Sequence, residues 1–418
     1  MTTLAGRWIP PEGFIFGQLA FGASWIVLLV VALRGAAGVG LAALGWVHLV
    51  ALGWLTMTAL SVLVHVIPSF TDAVWRWESL ARRSLAVFAA GVLVLVAGFL
   101  SATLSLLPWG GLLVGLGLAG YAVPAAFTLV SAFRVGKVEA TIARGLGATL
   151  AFLLVAAGFG VAFTLMLDGR VPASSLAFGA PAHAALGLVG WLTVLAMGVS
   201  ARTVAPITGG RSRRPWCHSA AGAAQALGTI GLAAGFAMAS PAVVWSATIV
   251  LGAGIAIYVA DLADVLRRAT VRHRPPQAFL AAAALWLVVA FALGAGALGG
   301  FAWGSALIYV ATIGWLGQIV LAHVHHIGVR LLATAFRGDD DETRPDVLLS
   351  APLSWTAFAL FQVAVALGLA ALLADSSGML ATAAVAGFFG WIAMVANALF
   401  AARRASRPPA LISLLGVR

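Results

Sequence analysis

Charge and sulfur are scarce in this chain. Of its 418 residues only 9% are Asp, Glu, Lys or Arg, and Cys217 is the one cysteine. A single thiol excludes an internal disulfide, a multi-cysteine zinc site and a cysteine-ligated iron–sulfur cluster. Any bound metal must therefore rely on His or oxygen ligands. The sequence has no CxxCH, no Walker loop and no serine nucleophile elbow, which speaks against covalent haem and ATP-driven transport. Only seven Met occur, so the soft ligands that copper(I) prefers are few.

What is present is apolar: 62% of the residues are of the AVILMFWYC set. At about 20 apolar residues per crossing, this length holds about a dozen membrane helices with short loops and no separate soluble domain. The net charge of +11 would suit nucleic acid only if the basic residues formed a patch or arm. Here they flank apolar segments, so a nucleic-acid partner is excluded and the lipid bilayer is the expected one. Arg7 and Pro10-Pro11 precede a long apolar segment with no small-residue cleavage site, which reads as a retained anchor.

Apolar runs between polar breaks predict twelve helices, at about 13–34, 37–70, 82–107, 109–134, 141–167, 175–204, 217–239, 241–268, 276–299, 301–336, 352–374 and 378–403. With the N-terminus cytoplasmic, all of the 24 Lys and Arg except Arg34 and Arg170 fall on the inner side. The positive-inside rule then puts both termini in the cytoplasm, as in a multi-pass protein of a bacterial-type inner membrane. The acidic run Asp339–Glu342 is expected to be a solvated loop paired with Arg337 and Arg344. The 48 glycines suit close helix packing through small faces.

Three segments share a Gly-Trp-Leu motif, at Gly53-Trp54-Leu55, Gly190-Trp191-Leu192 and Gly314-Trp315-Leu316, on helices 2, 6 and 10. Twelve residues beyond each Gly stand His65, Arg202 and His326. The recurrence every four helices predicts an all-α membrane fold of one polytopic domain. It would be built from three pseudo-repeated four-helix units, at about 13–134, 141–268 and 276–403. Six of the eight histidines, His48, His65, His183, His323, His325 and His326, lie on these same three helices. His218 and His273 flank inner loops, where solvent exposure is expected. An imidazole within a bilayer is costly unless partnered, so the six are candidates for function, with interhelical hydrogen bonding as the bland alternative.

Depth sorts the candidates into two layers. His48, about 11 residues or roughly 16 Å below the outer start of helix 2, and His183 can share an outer layer, where helix 10 offers Tyr309. The inner candidates are His65, Arg202 and the cluster His323, His325 and His326, of which His323 and His326 share a face at i and i+3. Along a regular helix, 17 residues separate His48 from His65 by roughly 25 Å and leave their side chains about 100° apart. Facing imidazoles can ligate a haem iron axially, and neutral imidazole also suits copper and zinc. Arg202 can pair with haem propionates or snorkel to the interface. Asp261 and Asp264 can begin a proton path, or simply pair with Arg267 and Arg268.

Twelve helices with His on helices 2, 6 and 10 resemble the catalytic subunit of haem-copper oxidases and nitric oxide reductases, and more closely the NnrS-type proteins. The stretches that carry the likeness are His48 with Pro68-Ser69-Phe70-Thr71, Ala182-His183 through Gly190-Trp191-Leu192 to Ala201-Arg202 and Thr208-Gly209-Gly210-Arg211, and Ala322-His323-Val324-His325-His326. The resemblance implies a non-covalent haem b, optionally with copper, a quinone or cytochrome as redox partner, and a role in respiration or in handling nitric oxide. His48 matches the position on helix 2 that ligates low-spin haem in oxidases. The chain departs from them on helices 6 and 7, which lack the histidines of a copper site, so a competent oxygen reductase is not expected. The leading expectation is thus a membrane haem b protein that transfers electrons or binds nitric oxide, with His48 and His183 as the outer ligand pair. The rival expectations are a copper or proton transporter using the same histidines, and a respiratory assembly subunit without catalysis.

Overall fold

A computed structural model of the chain describes residues 11–35, 40–136, 140–176, 179–271, 274–337 and 345–406. Twelve helices among them are long and apolar enough to cross a membrane. They are α1 (Glu12–Leu33), α2 (Leu41–Thr71), α3 (Glu78–Leu100), α4 (Leu104–Arg134), α5 (Ala143–Leu167), α6 (Gly179–Thr208), α7 (Trp216–Ala237), α8 (Pro241–Arg267), α9 (Pro275–Leu298), α10 (Gly304–Thr334), α11 (Ala351–Leu373) and α12 (Ser377–Ala405). The described residues contain no strand. Arg7, Lys137, Arg272, His273, the run Asp339–Glu342, Arg344, Arg407 and Arg418 lie outside the described residues.

The expected boundaries hold to within five residues except at the end of α3. It starts at Glu78 rather than 82, because Glu78 and Arg82 form an ion pair one turn apart at 2.7 Å that carries charge into the first turn. It ends at Leu100 rather than 107. The Ser101 hydroxyl bonds the Ala97 carbonyl at 2.7 Å, Ala102 takes a left-handed conformation with φ 54°, and the Thr103 N–H returns to the Gly98 carbonyl at 2.9 Å. The apolar run continues through Leu104, Leu106 and Leu107, so hydropathy does not show this break.

Glycine sets how closely neighbouring helices approach. A Cβ at Gly91 of α3 would come within 2.5 Å of the Val114 backbone nitrogen. One at Gly117 of α4 would come within 2.6 Å of the Phe88 nitrogen. The α3 and α4 backbones therefore touch, and only glycine fits between them. Along α1, Gly13 and Gly17 lie against the Ser61 and Thr58 hydroxyls of α2, and one turn further on Phe21 stacks on Trp54 with ring centres 3.5 Å apart.

The three motif-bearing helices share a departure from α-helical geometry. Leu49–Thr56 in α2, Ala185–Thr193 in α6 and Val310–Gly317 in α10 are π-helical, with bonds running to the fifth residue, and each contains one Gly-Trp-Leu motif. The motif tryptophans Trp54, Trp191 and Trp315 are all fully buried. Each motif glycine is pressed by the helix that precedes its own: Gly53 by Ala20 of α1, Gly190 by Phe152 of α5 and Gly314 by Trp286 of α9.

The chain divides into two compact units. The first comprises Met1–Ser24, Val39–Arg202 and Arg213–Asp261, and the second comprises Trp25–Gly38, Thr203–Ser212 and Leu262–Arg418. In the first, the Trp191 indole donates to the Thr56 hydroxyl at 3.0 Å, and the Tyr121 hydroxyl donates to the Leu60 carbonyl at 2.8 Å. In the second, the Trp286 indole donates to Gln362 at 3.0 Å, whose amide donates to Gln318 at 2.8 Å, joining α9, α11 and α10. Asn397 of α12 holds Ser350 and Ser354 at the start of α11.

Candidate functional site

Two of the six intramembrane histidines face each other. His48, seven residues after the start of α2, and His183, four residues into α6, have ring centres 6.4 Å apart and planes inclined by 21°. From the described start at Leu41 the depth of His48 is about 10 Å at 1.5 Å per residue. Both rings are half-buried. The separation is nearly twice that of the Phe21–Trp54 stack, so the two imidazoles leave a gap rather than touching face to face.

Each ring is fixed from behind. Nδ1 of His48 lies 2.8 Å from the Leu44 carbonyl of its own helix, and Nδ1 of His183 lies 2.9 Å from the Ala156 carbonyl of α5. A carbonyl only accepts, so both Nδ1 atoms carry the proton, which leaves Nε2 of each ring with a lone pair. That is how a metal-ligating histidine is usually held, its second nitrogen donating to a carbonyl that orients the ring and raises its basicity. Phe99 of α3 lies beside His48 at 5.1 Å, and Phe163 of α5 meets His183 edge-on at 5.8 Å.

The glycines around the two rings differ. A Cβ at Gly45, one turn before His48, would come within 3.1 Å of Phe99 and Leu100. Gly160 of α5 would place a Cβ 3.4 Å from Cε1 of His183, and a Cβ at Gly187, four residues beyond His183, would meet nothing within 4 Å.

The remaining candidates are arranged otherwise. His323 uses both nitrogens within the protein: Nδ1 donates to the Ile319 carbonyl at 2.6 Å, and Nε2 accepts from the Thr203 hydroxyl at 2.6 Å. His325 is buried, with Nδ1 donating to the Leu321 carbonyl at 2.8 Å and its ring against Phe279 at 5.2 Å. His326 is half-buried in the same turn. Val324–Gly328 is a second π-helical stretch of α10, so the face sharing expected of His323 and His326 from α-helical spacing does not carry over. The residues between His48 and His65 also include a π segment, so the expected 100° offset, computed for a regular helix, does not apply.

His65 stands near the far end of α2, where the Ser69 hydroxyl donates to its carbonyl at 2.8 Å and lies 3.4 Å from its Nε2. Arg202 lies 19 residues beyond His183 on α6, roughly 28 Å at helical rise. Its guanidinium sits over the Phe70 ring at 5.4 Å, so it belongs to the His65 end of the first unit rather than to the His48–His183 pair. Tyr309 is fully buried with its hydroxyl donating to the Ala364 carbonyl at 2.8 Å and its ring seated on Gly368. This commits the Tyr309 hydroxyl to α11.

The solvent exposure expected of His218 holds only in part: its side chain is half-buried, and its Nε2 lies 3.2 Å from the carboxylate of the buried Asp261. Asp264, by contrast, does pair with Arg268. Among the described residues no three His, Cys, Asp or Glu side chains converge as a metal-ligating group.

Several features of the pair escape sequence reasoning. A carbonyl tether has no side-chain signature, so nothing marks Ala156. The run Gly158-Phe159-Gly160 in α5 is one of several small-residue stretches of that helix and does not by itself mark the space around His183. Comparison with family models and with curated protein sequences finds no match to the chain.

Proposed function

We propose that this chain is a polytopic membrane protein that binds a non-covalent haem b between His48 and His183 and acts in electron transfer or in binding nitric oxide. The observation that carries this reading is the facing pair itself. An imidazole nitrogen lies about 2 Å from a ligated first-row metal and about 1 Å in front of its ring centre, so two rings in line through one ion have centres about 6 Å apart. The observed 6.4 Å fits. The donor set also discriminates among metals. Bare zinc or copper(II) seeks three or four protein ligands, and among the described residues no three such side chains converge, whereas a haem brings four equatorial nitrogens of its own. The haem would supply one-electron redox chemistry. The chain would hold it by two imidazoles of fixed tautomer, with Phe99 and Phe163 shielding them from solvent.

In the same reading the twelve helices form three four-helix units, supported by the shared π segments and by the matching contacts of Gly53, Gly190 and Gly314. Both termini are cytoplasmic in a bacterial-type inner membrane, the redox partner is a quinone or cytochrome, and oxygen reduction is not part of the function. The deciding measurement is haem content and an optical spectrum of the purified full chain expressed with ample haem. A Soret band that shifts or weakens in His48→Ala and in His183→Ala supports the reading, and a chain without a Soret band overturns it.

A further inference from the structure

The two imidazoles of the pair are not held alike, and the difference sorts them into a fixed and a releasable ligand. His48 is tied to its own helix: its Nδ1 donates to Leu44 four residues back, so ring and tether move as one body. The wall behind it is closed, with Phe99 alongside at 5.1 Å and no room for a Cβ at Gly45, which would come within 3.1 Å of Phe99 and Leu100. His183 is tied to a different helix, through the Ala156 carbonyl of α5. Its hold therefore depends on the α5–α6 spacing. Phe163 touches it only edge-on, and the space next to Gly187, four residues along α6, is open. Release of His183 breaks one hydrogen bond between helices, whereas His48 and its tether sit on one helix with Phe99 alongside.

We infer that His183 is an exchangeable axial ligand, which yields its coordination position to a small diatomic ligand while His48 stays bound. This inference rests on the haem reading above. It joins the two roles proposed there: with His183 in place both axial positions are filled and the site passes electrons, and with His183 turned toward Gly187 one position is open to a gas. In the exchange the bond from His183 Nε2 to the metal breaks and a bond to the incoming ligand forms, with no electron or proton transferred. The conformer with His183 released is the minor one, so the apparent affinity for the gas is lowered in proportion to its population.

Carbon monoxide added to the reduced, haem-loaded full chain tests this by stopped-flow absorbance. The expected rate of binding rises with carbon monoxide and then levels off, limited by release of His183. In His183→Gly the limit disappears and binding is at least tenfold faster. Gly187→Leu, which fills the open space and removes no ligand, lowers the plateau rate severalfold with the Soret band intact, and Gly187→Val does so by less. No carbon monoxide binding by a chain that has a Soret band, or an unchanged plateau in both Gly187 variants, overturns this inference and leaves the haem reading standing. A chain with no Soret band overturns both.

Discussion

The indole of Trp191 donates to the hydroxyl of Thr56 at 3.0 Å, joining the Gly-Trp-Leu motif of α6 to the residue that follows the same motif in α2. Both side chains are almost wholly buried, so this bond locks two π-helical segments at one level of the first unit. Trp191→Phe keeps the ring and removes the donor, and is expected to cost about 1 kcal/mol, as is Thr56→Val. Thermal unfolding in detergent, run as a double-mutant cycle, should show the pair costing less than the sum of the two. Strict additivity would mean that the bond is not made.

The α1–α2 contact predicts a contrast between glycines. A Cβ at Gly17 would lie 2.7 Å from the Thr58 hydroxyl oxygen, whereas one at Gly145 of α5 would meet nothing within 4 Å. Gly17→Val should destabilise by roughly 1–3 kcal/mol through overpacking. Gly145→Ala should be neutral or slightly stabilising, because alanine favours a helix over glycine by about 1 kcal/mol. Unfolding midpoints of the two variants check this, and equal shifts would contradict the close contact.

Breaking the partly buried pair of His218 and Asp261 should cost more than removing it. Asp261→Leu or His218→Leu alone takes a partner from a carboxylate–imidazole contact at 3.2 Å whose carboxylate is buried, at roughly 1–3 kcal/mol. The double replacement should be the more stable protein, since no polar group of the pair is then left behind. Comparing the yield and unfolding midpoint of all three variants decides it.

If the Ala156 carbonyl orients His183, then pushing the ring away from it should weaken the site with both imidazoles still present. Gly160→Leu adds bulk where Cε1 of His183 already stands 3.4 Å from an added Cβ. Haem per chain should fall severalfold with helix content unchanged. Full haem content in this variant would show that the tether does not matter.

His323 gives the opposite expectation. Its two nitrogens are engaged by Ile319 and Thr203, so His323→Ala and Thr203→Val should lower stability by about 1 kcal/mol each and leave the spectrum of the haem-loaded chain alone. A spectral change in either would assign His323 to the site.

Much of this arrangement is legible in the sequence, and the illegible part has a common cause. The twelve spans follow from apolar length, and the equivalence of α2, α6 and α10 is suggested by the spacing of Gly53, Gly190 and Gly314. His48 and His183 can be placed in one layer by counting residues from the helix starts. What counting misses is the destination of each polar atom. The hydroxyl of Tyr309 bonds a carbonyl of α11, Nε2 of His323 meets Thr203 120 residues away in sequence, and His218 finds Asp261. These are partnerships across helices, set by which faces come together. Hydropathy records that a side chain is apolar or polar and not what it faces. The end of α3 is missed for a related reason, since a left-handed Ala102 inside an apolar run leaves no trace in composition.

The π segment between His48 and His65 means that the two halves of α2 need not share one rotational phase. A π turn holds an extra residue relative to an α turn, so the residues beyond Leu49–Thr56 stand about 100° from where regular α-helical counting puts them, and deleting one residue there should restore α-helical winding with those faces kept. The half of the helix that begins at Leu41 can thus be aimed at His183 without dictating where His65 and Ser69 point. Each of the three motif helices carries such a slip joint at the level of its buried tryptophan, and each can be aimed in two directions at once.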